Sequence, residues 1–163
     1  MDYIVMDLEW NQNPYGKSNY YPDLPFEIIE IGAVRVSEDR EILDSYQQVI
    51  RPRVYKKLHY KIREITHFTE EELKEGKDFK RAIIEFLDWC GDDYMFCTWG
   101  SMDLTELQKN MKHYRLERVL DFPLFFVDLQ KMFSLRYDDG HMKRTLTSCL
   151  LYTSPSPRDR SVS

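Results

Sequence analysis

Residues 5–10 read VMDLEW, and where their charges fall decides how the chain folds. In extended backbone successive side chains point to opposite faces, so Tyr3, Val5, Asp7 and Glu9 share one face while Ile4, Met6, Leu8 and Trp10 share the other. One face is wholly apolar. The other ends in two carboxylates with only Leu8 between them, at the C-terminal end of the predicted strand.

Outward from this stretch, EIIEIGAVRV (residues 27–36) reads as a second strand, with Gly32 at a bulge or close approach, and ILDSYQQVI (42–50) as a third. The polar turn at residues 37–40 predicts that the last two form an antiparallel hairpin. Residues 11–26, NQNPYGKSNYYPDLPF, read as a flap beside the acids, because a connection this long inside a compact domain is usually functional. From Thr69 the pattern turns helical. Thr69 and Glu72 match a capping box, and Phe79, Ile83, Phe86, Leu87 and Cys90 recur at helical spacing before Gly91 stops the run. YMFCTWG (94–100) predicts a short strand, then Ser101 as N-cap of a helix with Leu104, Leu107 and Met111 on one face. LFFVDL (124–129) predicts a fifth strand running into a helix through Gln130 to Leu135. The class is α/β, without internal repeats.

At 163 residues, with 42% hydrophobic and 31% charged content, the chain suits one globular domain and excludes the disordered and membrane classes. It has no bilayer-length apolar run and no basic leader, which places it in the cytoplasm with no membrane partner. Cys90, Cys97 and Cys149 are odd in number and lack C-x-x-C spacing, so reduced thiols are expected rather than disulfides or zinc. A net charge of −5 excludes a protein that coats nucleic acid with its whole surface. A polyanion must be met by a local basic patch or by bound metal.

Asp103 falls in the first turn of a helix, just past a strand end, where open α/β sheets gather ligands and the helix dipole favours a carboxylate. Asp7, Glu9 and Asp103 together form a plausible oxygen-ligand set for Mg²⁺ or Mn²⁺. Two such ions about 3.5 to 4 Å apart can activate water and stabilise the leaving oxygen in phosphodiester hydrolysis. The competing reading leaves Asp7 and Glu9 on a solvated sheet face and Asp103 as an ordinary helix-start acid. D-x-E in a strand, taken alone, favours it.

The order of the blocks changes that balance. VMDLEWN, FEIIEIGAV, LHYKIREITHFTEEEL and FCTWGSMDLTEL resemble successive segments of the DEDD-type, histidine-containing 3′–5′ exonucleases of ribonuclease-T-like fold, with the KapD-type and ERI-like branch as the nearest likeness. The likeness covers residues 2–148. It implies a ribonuclease-H-like mixed five-stranded sheet flanked by helices, with Asp7 and Glu9 as the first metal-binding motif and Asp103 as the second. It also implies a third motif, a histidine general base followed five positions later by an aspartate ligand. His113 leads to Arg118 and His141 to Leu146, so neither matches, and the variant with tyrosine four positions before aspartate is absent too. CLLYTSPSPRD (149–159) resembles a translated sequencing adapter, so residues 149–163 are read as a non-native tail and residues 1–148 as an exonuclease domain lacking its C-terminal helix. Exposed apolar surface is the expected consequence.

RPRVYKKLHYKIR (51–63) carries six cations and no acid, with Tyr55, His59 and Tyr60 interleaved. Lys56, Lys57 and Arg63 are read as phosphate contacts, with a solvated basic loop as the equal alternative. Trp10 and Trp99 adjoin the ligand strand ends and are weighed as base-stacking or core residues; Asn11 is read as a contact to the same nucleotide. His67 reads as a loop or helix-cap residue, and Asp128 as a poor substitute for the missing ligand. The implied activity is metal-dependent 3′–5′ hydrolysis of single-stranded ends to nucleoside 5′-monophosphates, RNA ahead of DNA, with little activity expected of a chain lacking the third motif. A catalytically dead nucleic-acid-binding module is the rival, and a glycosidase carboxylate pair a third reading.

Overall fold

A computed structural model of the chain describes residues 1–16, 21–116, 125–138, 140–141 and 143–146. β1 (Asp2–Gln12), β2 (Phe26–Val36) and β3 (Ile42–Val49) are followed by α1 (Tyr60–Thr66), α2 (Glu70–Glu75) and α3 (Phe79–Cys90). Then come β4 (Tyr94–Thr98), α4 (Met102–His113), β5 (Phe126–Asp128) and α5 (Leu129–Tyr137). The sheet order is β3-β2-β1-β4-β5. β1 pairs antiparallel with β2 and parallel with β4, so the sheet is mixed, as expected.

The alternation of β1 does what its residues dictate. Ile4, Met6 and Leu8 are buried against Ile31, Phe79, Ile83, Phe86 and Leu107, while Val5 and Asp7 face away from that core. Burying apolar surface on this scale, at about 25 cal/mol per Å², holds α3 and α4 to the sheet. The predicted β2–β3 hairpin is present. The irregularity where β2 pairs with β1 is not at Gly32, which pairs with Asp7 at ordinary contact distance. Glu9 pairs with Glu30 and Trp10 with Ile28, so Ile29 is the extra residue of a bulge. The bulge lets Ile28 and Ile31 both face the main core and sends Ile29 to a second cluster with Leu58 and Leu73.

The helical pattern from Thr69 resolves into two helices rather than one. Thr69 forms the predicted capping box with Glu72. The chain breaks at Gly76 because Lys77 bridges to Ile50 beside β3, and a Cβ on Gly76 would lie 2.8 Å from the backbone of Ile50 and Arg51. Asp78 then caps α3. Ser101 precedes α4 but makes no side-chain cap, since its backbone is already helical. β5 is shorter than expected. Cys90 and Cys97 are free and buried, and burial pushes the Cys90 thiol up to about 12. Among the described residues no helix is long and apolar enough to cross a membrane. The proposed tail, residues 149–163, lies outside the described residues.

Candidate active site

The parallel pairing of Asp2–Val5 in β1 with Tyr94–Cys97 in β4 sets Asp7 and Glu9 beside the turn that launches α4. Because pairing with β2 carries β1 on to Gln12, the two acids lie within the strand and not, as expected, at its C-terminal end. Asp103, in the first turn of α4, is buried, and its Oδ1 accepts a hydrogen bond from the Leu8 amide at 3.1 Å. Leu8 lies between Asp7 and Glu9, so this one contact ties the third carboxylate to the other two. α4 is held by a polar stripe. Asn110, two turns on, accepts from the Ile28 amide at 3.1 Å and donates to the Phe26 carbonyl at 2.9 Å.

Three acids crowded together disfavour each other's ionisation. Burial, then the charge of Asp7, lifts the Asp103 carboxyl to about 6. Glu9 is raised by burial, then by Asp7, Glu30 and Asp103; Asp7 is raised by burial, then by Glu30. Glu30, which pattern reading passed over as one polar residue in a strand, faces Glu9 directly across the ladder. Like charges in that position oppose folding. Among the described residues no lysine, arginine or histidine forms an ion pair with Asp7, Glu9 or Asp103.

Hard oxygen donors with uncompensated charge suit a divalent ion such as Mg²⁺ or Mn²⁺. As placed, no three His, Cys, Asp or Glu side chains among the described residues converge on one point. The donor set fits by chemistry and position, and its side chains must turn inward to ligate. Beside Asp7 a cleft of about 490 Å³, lined also by Val5, Glu30, Gly32, Val34 and Trp99, opens on the sheet face opposite the main core.

The other sequence-derived residues divide. Trp99 borders the cleft, with its ring 6.0 Å from Phe133 and its indole nitrogen donating to the Arg144 carbonyl. Trp10 packs on Phe26 at 5.7 Å beside the main core. Asn11, read as a nucleotide contact, is fully buried and spends its amide on the loop at residues 55–59. Lys56 and Lys57 are exposed, whereas Arg63 pairs with Glu70 at 3.3 Å. The basic stretch is not all loop, since α1 starts at Tyr60. His67 is the αL C-cap of α1, and the Asp128 carboxylate caps α5 through the Lys131 amide at 2.8 Å. Pattern reading also missed Glu27, a buried carboxylate that accepts three backbone amides. An acid inside an apolar strand run was its only signal.

The chain is 26% identical over 147 residues to the probable 3′–5′ exonuclease KapD of Bacillus subtilis, covering 88% of this chain and 66% of that protein. It is 32% identical over 102 residues to the PolC-type DNA polymerase III of Staphylococcus haemolyticus, covering 63% of this chain and 6% of that one. The chain therefore spans less than two thirds of the length of these curated relatives. Its fold is similar to the crystallographic nuclease domain of 3′hExo, a DEDDh family member bound to rAMP, with a TM-score of 0.68 at 23% identity, covering 83% of this chain and 70% of that one. The sequence profile of the RNase_T exonuclease family matches residues 4–149, and the protein belongs to that family.

Proposed function

We propose that this domain hydrolyses phosphodiester bonds at the 3′ ends of single-stranded nucleic acid, RNA ahead of DNA, releasing nucleoside 5′-monophosphates. The observation that carries the reading is that Asp7 and Glu9 on β1 and Asp103 in the first turn of α4 lie near enough to raise one another's carboxyls, with no cation paired to them among the described residues. These carboxylates would hold two Mg²⁺ or Mn²⁺ ions, which when bound supply positive charge for the phosphate and lower the pKa of water. Asp7 and Glu9 belong to one strand face, and Asp103 is braced against that strand by the Leu8 amide. Trp99 and the cleft beside Asp7 offer a surface for the terminal nucleotide. The rAMP bound to the structurally similar 3′hExo supports the preference for RNA.

Neither His113 nor His141 is followed five residues on by an aspartate, so neither fits the spacing of the general base that the resemblance implies; a chain without that base would lose roughly 10²- to 10⁴-fold in rate. The test is single-turnover trimming of a 5′-labelled oligouridylate with excess protein in Mn²⁺. Slow shortening from the 3′ end, stopped by EDTA and by Asp7→Ala, is the expected result. Cleavage indifferent to both would overturn the reading. The failure of three side chains to converge as placed favours a second reading, a binding module that no longer cuts. Oligonucleotide affinity with neither metal binding nor trimming would select it.

A further inference from the structure

Asn11 and Glu27 are direct partners across β1 and β2, and both are buried. Between them they hold six backbone groups of one loop. The Asn11 amide donates to the carbonyls of Tyr55 and Lys57 at 2.8 and 2.9 Å and accepts from the His59 amide at 2.9 Å. The Glu27 carboxylate accepts from the amides of Arg53, Val54 and Tyr55 at 2.7, 3.1 and 2.7 Å, and from the Tyr114 hydroxyl at 2.7 Å. The Tyr55 hydroxyl in turn donates to the Leu24 carbonyl at 2.8 Å. Asn11 lies two residues beyond Glu9 on the same face of β1, about 7 Å along the strand. The loop is therefore locked beside the acids, and its ordering is complete before any ligand arrives.

What this loop turns outward is basic and aromatic. Lys56 and Lys57 are exposed, and the Lys57 ammonium sits 5.2 Å over the Tyr15 ring. With Tyr21 and Tyr55 they line a pocket of about 370 Å³, separate from the cleft at Asp7. Two other cations of the stretch are engaged within the fold, Arg53 with Asp78 and Arg63 with Glu70. Lysines interleaved with rings match a chain that alternates phosphates with flat bases. An acidic peptide would use the cations and leave the rings idle.

We propose that this pocket is an upstream subsite for single-stranded nucleic acid. Lys56 and Lys57 meet phosphates and Tyr15 stacks a base of the nucleotides preceding the 3′ end, while Asn11 and Glu27 are positioning residues that keep the subsite in line with the acids. The strand direction rests on the nuclease reading; the subsite itself needs no metal.

The test is fluorescence anisotropy of a 5′-fluorescein oligouridylate with the full chain in EDTA, across a series of salt concentrations. Replacing both lysines with alanine lowers the slope of log affinity against log salt by about 1.4, at about 0.7 per phosphate contact on a single strand. Tyr15→Ala weakens binding by roughly five-fold or more. Glu27→Gln turns an amide donor toward backbone donors, and in the folded variant the salt slope falls as in the lysine variants, which a loss of stability alone would not produce. If Glu27→Gln does not fold, the exposed lysines still decide the matter. Unchanged slope and affinity in the lysine variants overturn the proposal. Equal displacement of the oligonucleotide by a polyglutamate peptide overturns the commitment to nucleic acid. Trimming that needs Asp7 while affinity ignores Lys56 and Lys57 refutes the subsite alone; lysine-dependent binding by a chain that takes up no Mn²⁺ refutes the nuclease reading alone.

Discussion

Replacing Asp103 with asparagine removes a charge while keeping a hydrogen bond, because the asparagine carbonyl can accept from the Leu8 amide as Asp103 Oδ1 does. Burial, then Asp7, raises the native carboxyl from 3.8 to about 6. A carboxyl raised in the native state binds more protons there than in the unfolded chain, so wild-type stability falls as pH rises between those two values. At 1.36 kcal/mol per pH unit the full effect is about 3 kcal/mol on the plateau above pH 6. Asp103→Asn escapes it. For a chain of this size the variant should melt roughly 6 to 12 °C above wild type at about pH 7.5, with the gap closing as pH falls below the unfolded value of 3.8, where the aspartate is neutral in both states. Mn²⁺ should narrow the gap at neutral pH, since the wild type keeps the full carboxylate set proposed to bind it. Thermal unfolding followed by circular dichroism over this pH range, with EDTA and then with Mn²⁺, measures each element. An asparagine variant less stable than wild type at neutral pH, or a gap that does not change with pH, would refute the reasoning.

Three further substitutions probe the frame around the site. Asn11→Ala strands two carbonyls and an amide inside the fold and should cost about 3 kcal/mol in urea unfolding; a loss under about 0.5 kcal/mol would mean the loop does not depend on it. Gly76→Ala places a methyl 2.8 Å from the backbone of Ile50 and Arg51 and should cost about 2 kcal/mol by the same assay, with a neutral result showing that the α2–α3 break can shift. Thr69→Ala removes one half of the capping box and should cost about 1 kcal/mol; no change would mean that α2 is held by Leu73 alone.

Local pattern carried much of this protein. Alternation in VMDLEW separates the core face from the acid face of β1 because the two-residue period of a strand is a property of the backbone alone. The β2–β3 hairpin, the Thr69 capping box and the apolar face of α4 follow from residues a few positions apart, and all three are present. What pattern could not supply depends on contacts between distant segments. The single helix drawn from Thr69 to Cys90 breaks at Gly76 because Lys77 bridges to Ile50, a neighbour that helical spacing does not see. Asn11 reads as a contact to the terminal nucleotide, whereas in the fold its side chain staples a loop 44 to 48 residues away in sequence. Glu27 reads as an intrusion in an apolar run until the amides of residues 53–55 are brought to it. Asp103 meets Leu8 across 95 residues only because β4 pairs parallel with β1. Local preferences are set by each residue's own backbone and its near neighbours, whereas a buried polar group takes its role from whichever partner the folded chain delivers to satisfy it.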